Sequence, residues 1–128
     1  MKPRSEADAL GLLGLAHRAG ALLRGVDATR RGLDAGEVEL VILAADGSEG
    51  QLDKVRGILE HRDVPLRWVS GRTVLGRALG QAALSAVGVK DRSFAEQLLK
   101  RLPTTSPKGS EAGEPGKPQE EPSRDAGC

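Results

Sequence analysis

A chain of 128 residues with 38% hydrophobic content is long enough to bury one core and too short for two. Its apolar residues are almost all Leu, Val, Ile and Ala, with one Trp, one Phe and no Tyr, which disfavours nucleic-acid binding by base stacking on aromatic rings. The formal charge is +1 overall, but positions 1–102 hold 16 basic and 13 acidic residues and so carry +3, while the one cysteine, Cys128, excludes a disulfide framework and a cysteine-ligated zinc site.

In chain order, Leu10, Leu13, Leu15 and Ala16 share one face of a predicted helix that stops at Gly20, and Ala21–Arg24 reads as a short extended run. Asp27 is the expected N-cap of a helix through Asp34, halted by Gly36. Glu39–Ala45 is an uninterrupted apolar run of the kind that forms a strand covered on both faces. Ser48, with Glu49 and Gln51, suits a helix start, and Leu52, Val55, Ile58 and Leu59 form its stripe as far as His61. After Pro65, Leu66–Val69 is a strand; Gly71 opens a helix carrying Val74, Leu75, Ala78 and Leu79 to Gly80; Leu84–Val89 is a fourth strand. Asp91 caps a last helix bearing Phe94, Leu98, Leu99 and Leu102.

This alternation predicts an α/β fold, a three-layer α/β/α sandwich with a four-stranded mixed sheet, over residues 1–102. Residues 103–128 are rich in Pro, Gly, Ser and Glu and contain no Leu, Ile, Val or aromatic residue. Such a segment buries too little surface to offset its ordering entropy, so a disordered tail is expected. No apolar span approaches membrane length and nothing resembles a signal peptide, so the expectation is a cytoplasmic protein with no membrane partner.

Three features bear on chemistry. Gly71–Ala78, GRTVLGRA, has the glycine spacing of a phosphate-binding loop, but Arg77 and Ala78 stand where that loop needs Lys followed by Ser or Thr. What survives is an anion site, in which Ser70, Gly71 and Arg72 offer backbone N–H groups and a guanidinium at a helix start; an ordinary strand-to-helix turn fits the same residues. Arg24, Arg30 and Arg31 surround a second helix start beside Gly25, suited either to gripping phosphate or to a solvated helix face. His17 and His61 lie near predicted helix C-termini with no companion at ligand or triad spacing, and Asp27, Asp46 and Asp91 read as caps or loop residues. No catalysis, cofactor or metal is expected.

Taken together, LGLLGLAHRAGALLRGVDATRRGLDAGEVELVILAAD and VPLRWVSGRTVLGRALG closely resemble the kink-turn-binding ribosomal protein superfamily, the archaeal large-subunit seven-Ae and thirty-e type, and its short bacterial branch in particular. The match runs from about Leu10 to Leu99. The resemblance implies a non-catalytic protein that reads structured RNA, ribosomal or other non-coding, with the helix after the first strand and the loops facing it; the ribosome is a possible partner and DNA is not expected. In that family the helix begins G-x-N-E with a Lys three residues after the Glu. Here Gly25 keeps its place and Arg31 falls on the Lys position, whereas Asp27 replaces Asn and Ala28 replaces Glu. Ala82 and Ala83 fall where family members set apolar residues against an extruded base. The alternative is a protein-interaction adaptor that has kept the fold and lost RNA readout; a nucleotide-binding enzyme built on Gly71–Gly80 is a third reading, disfavoured by the missing Lys and Ser/Thr.

Overall fold

The computed structural model describes residues 3–106. Along the chain run α1 (Pro3–Arg18), β1 (Leu22–Arg24), α2 (Val26–Asp34), β2 (Leu40–Ala44), α3 (Glu49–Leu59), β3 (Leu66–Val69), α4 (Arg72–Ala78), β4 (Ala86–Val89) and α5 (Arg92–Leu99). The strands form one sheet in the order β1-β4-β2-β3. Strand β2 pairs parallel with β3 and antiparallel with β4, and β1 pairs antiparallel with β4, so the sheet is mixed as expected.

Strand β2 is central because every one of its residues is apolar and fully buried. Side chains alternate across a strand, so Leu40, Ile42 and Ala44 enter one core and Val41 and Leu43 the other. The first core is completed by Leu13 of α1, Leu75 of α4 and Leu98 of α5. The second is completed by Leu33 of α2, with Leu52 and Val55 of α3 and Trp68 of β3. This is the three-layer α/β/α sandwich: α1, α4 and α5 cover one face and α2 and α3 the other.

Side-chain caps set the starts of α3 and α5. Ser48 Oγ accepts from Gln51 N at 3.3 Å, and Asp91 Oδ1 accepts from Phe94 N at 3.0 Å. The Asp91→Ala variant is expected to lose about 1 kcal/mol, the usual value of an N-cap. Urea unfolding followed by the fluorescence of Trp68, the chain's one tryptophan, measures it directly.

The capping role expected of Asp27 is corrected. Helix α2 starts two residues earlier, with Gly25 as N-cap at φ 99° and no side-chain cap, leaving Asp27 exposed in the first turn. A side chain at position 25 would meet a left-handed backbone, which is why the glycine is needed there. Strand β4 begins at Ala86 instead of Leu84, because Leu84 N donates to Arg72 O at 3.1 Å and the strand ladder starts beyond it. Helix α1 begins seven residues before Leu10, since its first two turns are polar and leave no apolar period to read. At the other end Leu102 is buried, and Pro103 O accepts from Trp68 N at 3.1 Å on the edge of β3. Of the expected tail, residues 107–128 lie outside the described residues.

Candidate nucleic-acid interface

Three segments meet at one end of the α2–α3 face. The β1–α2 turn is fixed by Gly25 N donating to Ala86 O at 2.9 Å, and the start of β4 by Ala44 N donating to Ser85 O at 2.9 Å. The Ser48 cap sets the first turns of α3 alongside. Between them lies a cleft of about 530 Å³ whose walls include Arg24, Gly25, Asp27, Ala28 and Arg31 from the first segment, Gln51 and Lys54 from α3, and Ala83 and Ser85 from the loop before β4. Three cations thus face one carboxylate.

Helix α2, which carries Arg31, is seated closely on the sheet. Gly32 lies against β1, where a Cβ would overlap the end of Leu23, and Gly88 of β4 sits beneath α2 with Thr29 and Val38 over it. Thr29 is fully buried in this contact, its Oγ1 without a hydrogen-bond partner among the described residues. Arg30 is not among the cleft walls, and its nearest carboxylate is Asp27 at 3.9 Å.

The structure therefore unites Arg24, Gly25, Asp27, Ala28 and Arg31 with Ala83 of the expected Ala82–Ala83 pair. It leaves Arg30 and the exposed Ala82 outside the cleft walls. It also adds Gln51, read from the sequence only as part of a helix start, and Lys54, which carried no signal there. Their positions next to the Ser48 cap are visible in the sequence, but that α3 faces the start of α2 follows only from tertiary packing.

The expectation that Ser70, Gly71 and Arg72 form an open anion site is corrected. Ser70 N and Oγ donate to the Glu6 carboxylate at 2.6 and 3.0 Å, and Arg72 N donates to Asp46 Oδ1 at 2.8 Å. The Arg72 guanidinium lies 3.6 Å from that same Asp46 oxygen. Two of the protein's own carboxylates thus occupy the helix start, one reaching across from α1 and one from the end of β2. Asp46 is here a helix-terminus ligand. The segment with phosphate-loop spacing is wound into α4 from Arg72, with Gly76 buried in its interior, and so lacks the open loop of N–H groups such a site requires.

Among the described residues no group of three or more His, Cys, Asp and Glu is placed to hold a metal ion. No helix among them is long and apolar enough to cross a membrane.

Comparison with known proteins gives a consistent result. The model of the ribosomal protein L7Ae/L30e/S12e/Gadd45 family matches residues 7–99. RNA-binding protein YlxQ of Bacillus subtilis (strain 168) is 36% identical over 91 residues, covering 71% of this chain and 91% of that protein. Large ribosomal subunit protein eL8 of Thermoplasma volcanium is 27% identical over 95 residues, covering 73% of this chain and 78% of its own. Among solved structures, a protein of unknown function from Bacillus halodurans C superposes with a TM-score of 0.68 at 36% identity, covering 72% of this chain and 93% of that one. The Giardia lamblia 15.5kD RNA binding protein shares the fold, with a TM-score of 0.65 at 22% identity over 79% of this chain and 90% of its own.

Proposed function

The chain belongs to the ribosomal protein L7Ae/L30e/S12e/Gadd45 family, and on that premise we propose that it is a non-catalytic, ribosomal-type RNA-binding protein whose contact surface is the cleft between the starts of α2 and α3. The observation that carries this is the convergence of Arg24, Arg31 and Lys54, from three separate elements, on one cleft with a single opposing carboxylate. Cations gathered on one cleft suit the phosphates of a folded RNA, which concentrate negative charge along a bent backbone. The relative named an RNA-binding protein supports the same class of ligand.

Recognition at this cleft is by shape and phosphate more than by base edge. Asp27 offers acceptors only, Ala28 offers neither donor nor acceptor, and Ala83 gives little area to cover an extruded base. Arg31 and Arg24 supply forked donors that hold phosphate in two-point contacts. The RNA is a structured ribosomal or other non-coding RNA in the cytoplasm, and a kink-turn is held with modest preference over a duplex.

Fluorescence anisotropy across a salt series, on a kink-turn RNA and a matched straight duplex, tests this reading. With three phosphate contacts the logarithmic salt slope is expected to be about −2 to −3. The kink-turn is expected to bind more tightly, by less than about tenfold, because no base-edge pair worth about 1–3 kcal/mol is built in. Absence of binding to either RNA at low salt overturns the proposal.

A further inference from the structure

On the opposite face of the sheet, α1 and α4 flank a second groove of about 370 Å³ lined by Leu10, Gly11, Val74, Arg77 and Ala78. Its floor exists because α1 is glycine-rich: the position a Cβ of Gly14 would take is 3.4 Å from Ala78 O, and one on Gly11 would meet nothing within 4 Å. One turn beyond Gly11 on the same helix, Leu15 is 50% exposed, which makes it the exposed large hydrophobic residue of the described chain. The apolar floor and this leucine lie along one face of α1, a turn apart.

We propose that this groove docks an amphipathic helix of a second protein, apolar along its seat and acidic where it passes Arg77. Charge selects that partner. Glu6 and Asp46, the carboxylates at the start of α4, are committed to Ser70 and Arg72. Arg77 is exposed at the groove and forms no ion pair among the described residues. The remaining exposed acid of α1, Asp8, lies about two helical turns before Leu15, at the other end.

Other occupants fit less well. RNA gains little from a floor that has no aromatic ring to stack on and Arg77 as its one charged wall. Residues 107–128 of the chain itself contain no Leu, Ile, Val, Met or aromatic residue to fill the apolar seat. A helix laid in a groove, anchored by apolar residues one turn apart, satisfies both the floor and the rim. Because the groove and the cationic cleft sit on opposite faces, this inference stands or falls apart from the RNA reading.

The probe is a phage-displayed library of helical peptides, selected against the full-length protein and read out by anisotropy. Selected peptides are expected to carry apolar residues at i and i+4 with Asp or Glu beside them. Their affinity should fall at least about tenfold, roughly 1.4 kcal/mol, on both Gly11→Leu, which fills the floor, and Arg77→Glu. Gly11 is exposed and unobstructed, so its variant folds, and an unchanged urea midpoint for both proteins verifies this. Enrichment of basic peptides, indifference to both substitutions, failure to enrich any helix, or a wild-type dimer that Gly11→Leu dissolves would each overturn the proposal.

Discussion

Reversing two charges at once, Arg31→Glu with Lys54→Glu, is expected to weaken RNA binding by about 100-fold at low salt and to reduce the salt slope by about 2. The size follows from two solvent-exposed charge-assisted contacts at the lower end of their range, about 1.5 kcal/mol each and so on the order of 100-fold together. Both side chains are exposed and line the cleft from different helices. Folding should therefore be untouched, within about 0.5 kcal/mol, as for surface substitutions generally. Each single variant should lower the slope by about 1. Arg30→Glu is the informative contrast: it removes a cation from the same helix that does not line the cleft, so its effect should be clearly smaller. If Arg30→Glu costs more than Arg31→Glu, the RNA does not lie where the cleft places it.

The second large effect is on stability, and its sign runs against helix propensity. Replacing a glycine within a helix by alanine ordinarily gains up to about 1 kcal/mol. At Gly76 in α4, however, a Cβ would sit 2.7 Å from both the Cα and N of Ala83 and 2.9 Å from Gln81 O. All three are backbone atoms, held in part by Gln81 N donating to Gly76 O at 2.8 Å, so no side-chain rotation relieves the clash. Gly76→Ala is expected to lose about 1–3 kcal/mol, the usual cost of overpacking. Gly57→Ala in α3, where a Cβ meets nothing within 4 Å, should instead gain by about the ordinary propensity difference of 0.5–1 kcal/mol. Trp68, 5% exposed in the α2–α3 core, reports both unfolding transitions. Because Ala83 lines the cleft, Gly76→Ala should also weaken RNA binding at temperatures where the protein remains folded.

Much of the architecture was legible in the sequence because the pattern and the caps agree. After Glu39 the run to Ala45 has no polar residue, as suits a strand covered on both faces, and its Leu40–Ala44 is the fully buried β2. Ser48 and Asp91 precede apolar helical periods and cap them as their chemistry dictates. Asp27 misled because its identity suits a cap while the backbone does not: Gly25 already makes the turn at φ 99°, and the carboxylate is left facing the cleft.

The site was only half legible for a related reason. Arg24, Gly25 and Arg31 are close in sequence and so could be grouped by inspection. Lys54 lies 23 positions from Arg31, and nothing local says that the two helices run side by side over the same sheet face. The Ser70–Arg72 turn shows the converse error. A helix start reads as an anion site whenever no anion is known, yet Glu6 and Asp46, distant in sequence, supply the anions from within the fold.

The most direct test of the RNA-binding cleft is amide chemical-shift mapping while a kink-turn RNA is titrated into the full-length protein. The expected result is a continuous set of perturbed amides at Arg24–Arg31, Gln51–Lys54 and Ala83–Ser85, with α1 and α5 unaffected. Shifts confined to α1, α4 and α5, with that cleft silent, would contradict the assignment of RNA binding to this surface.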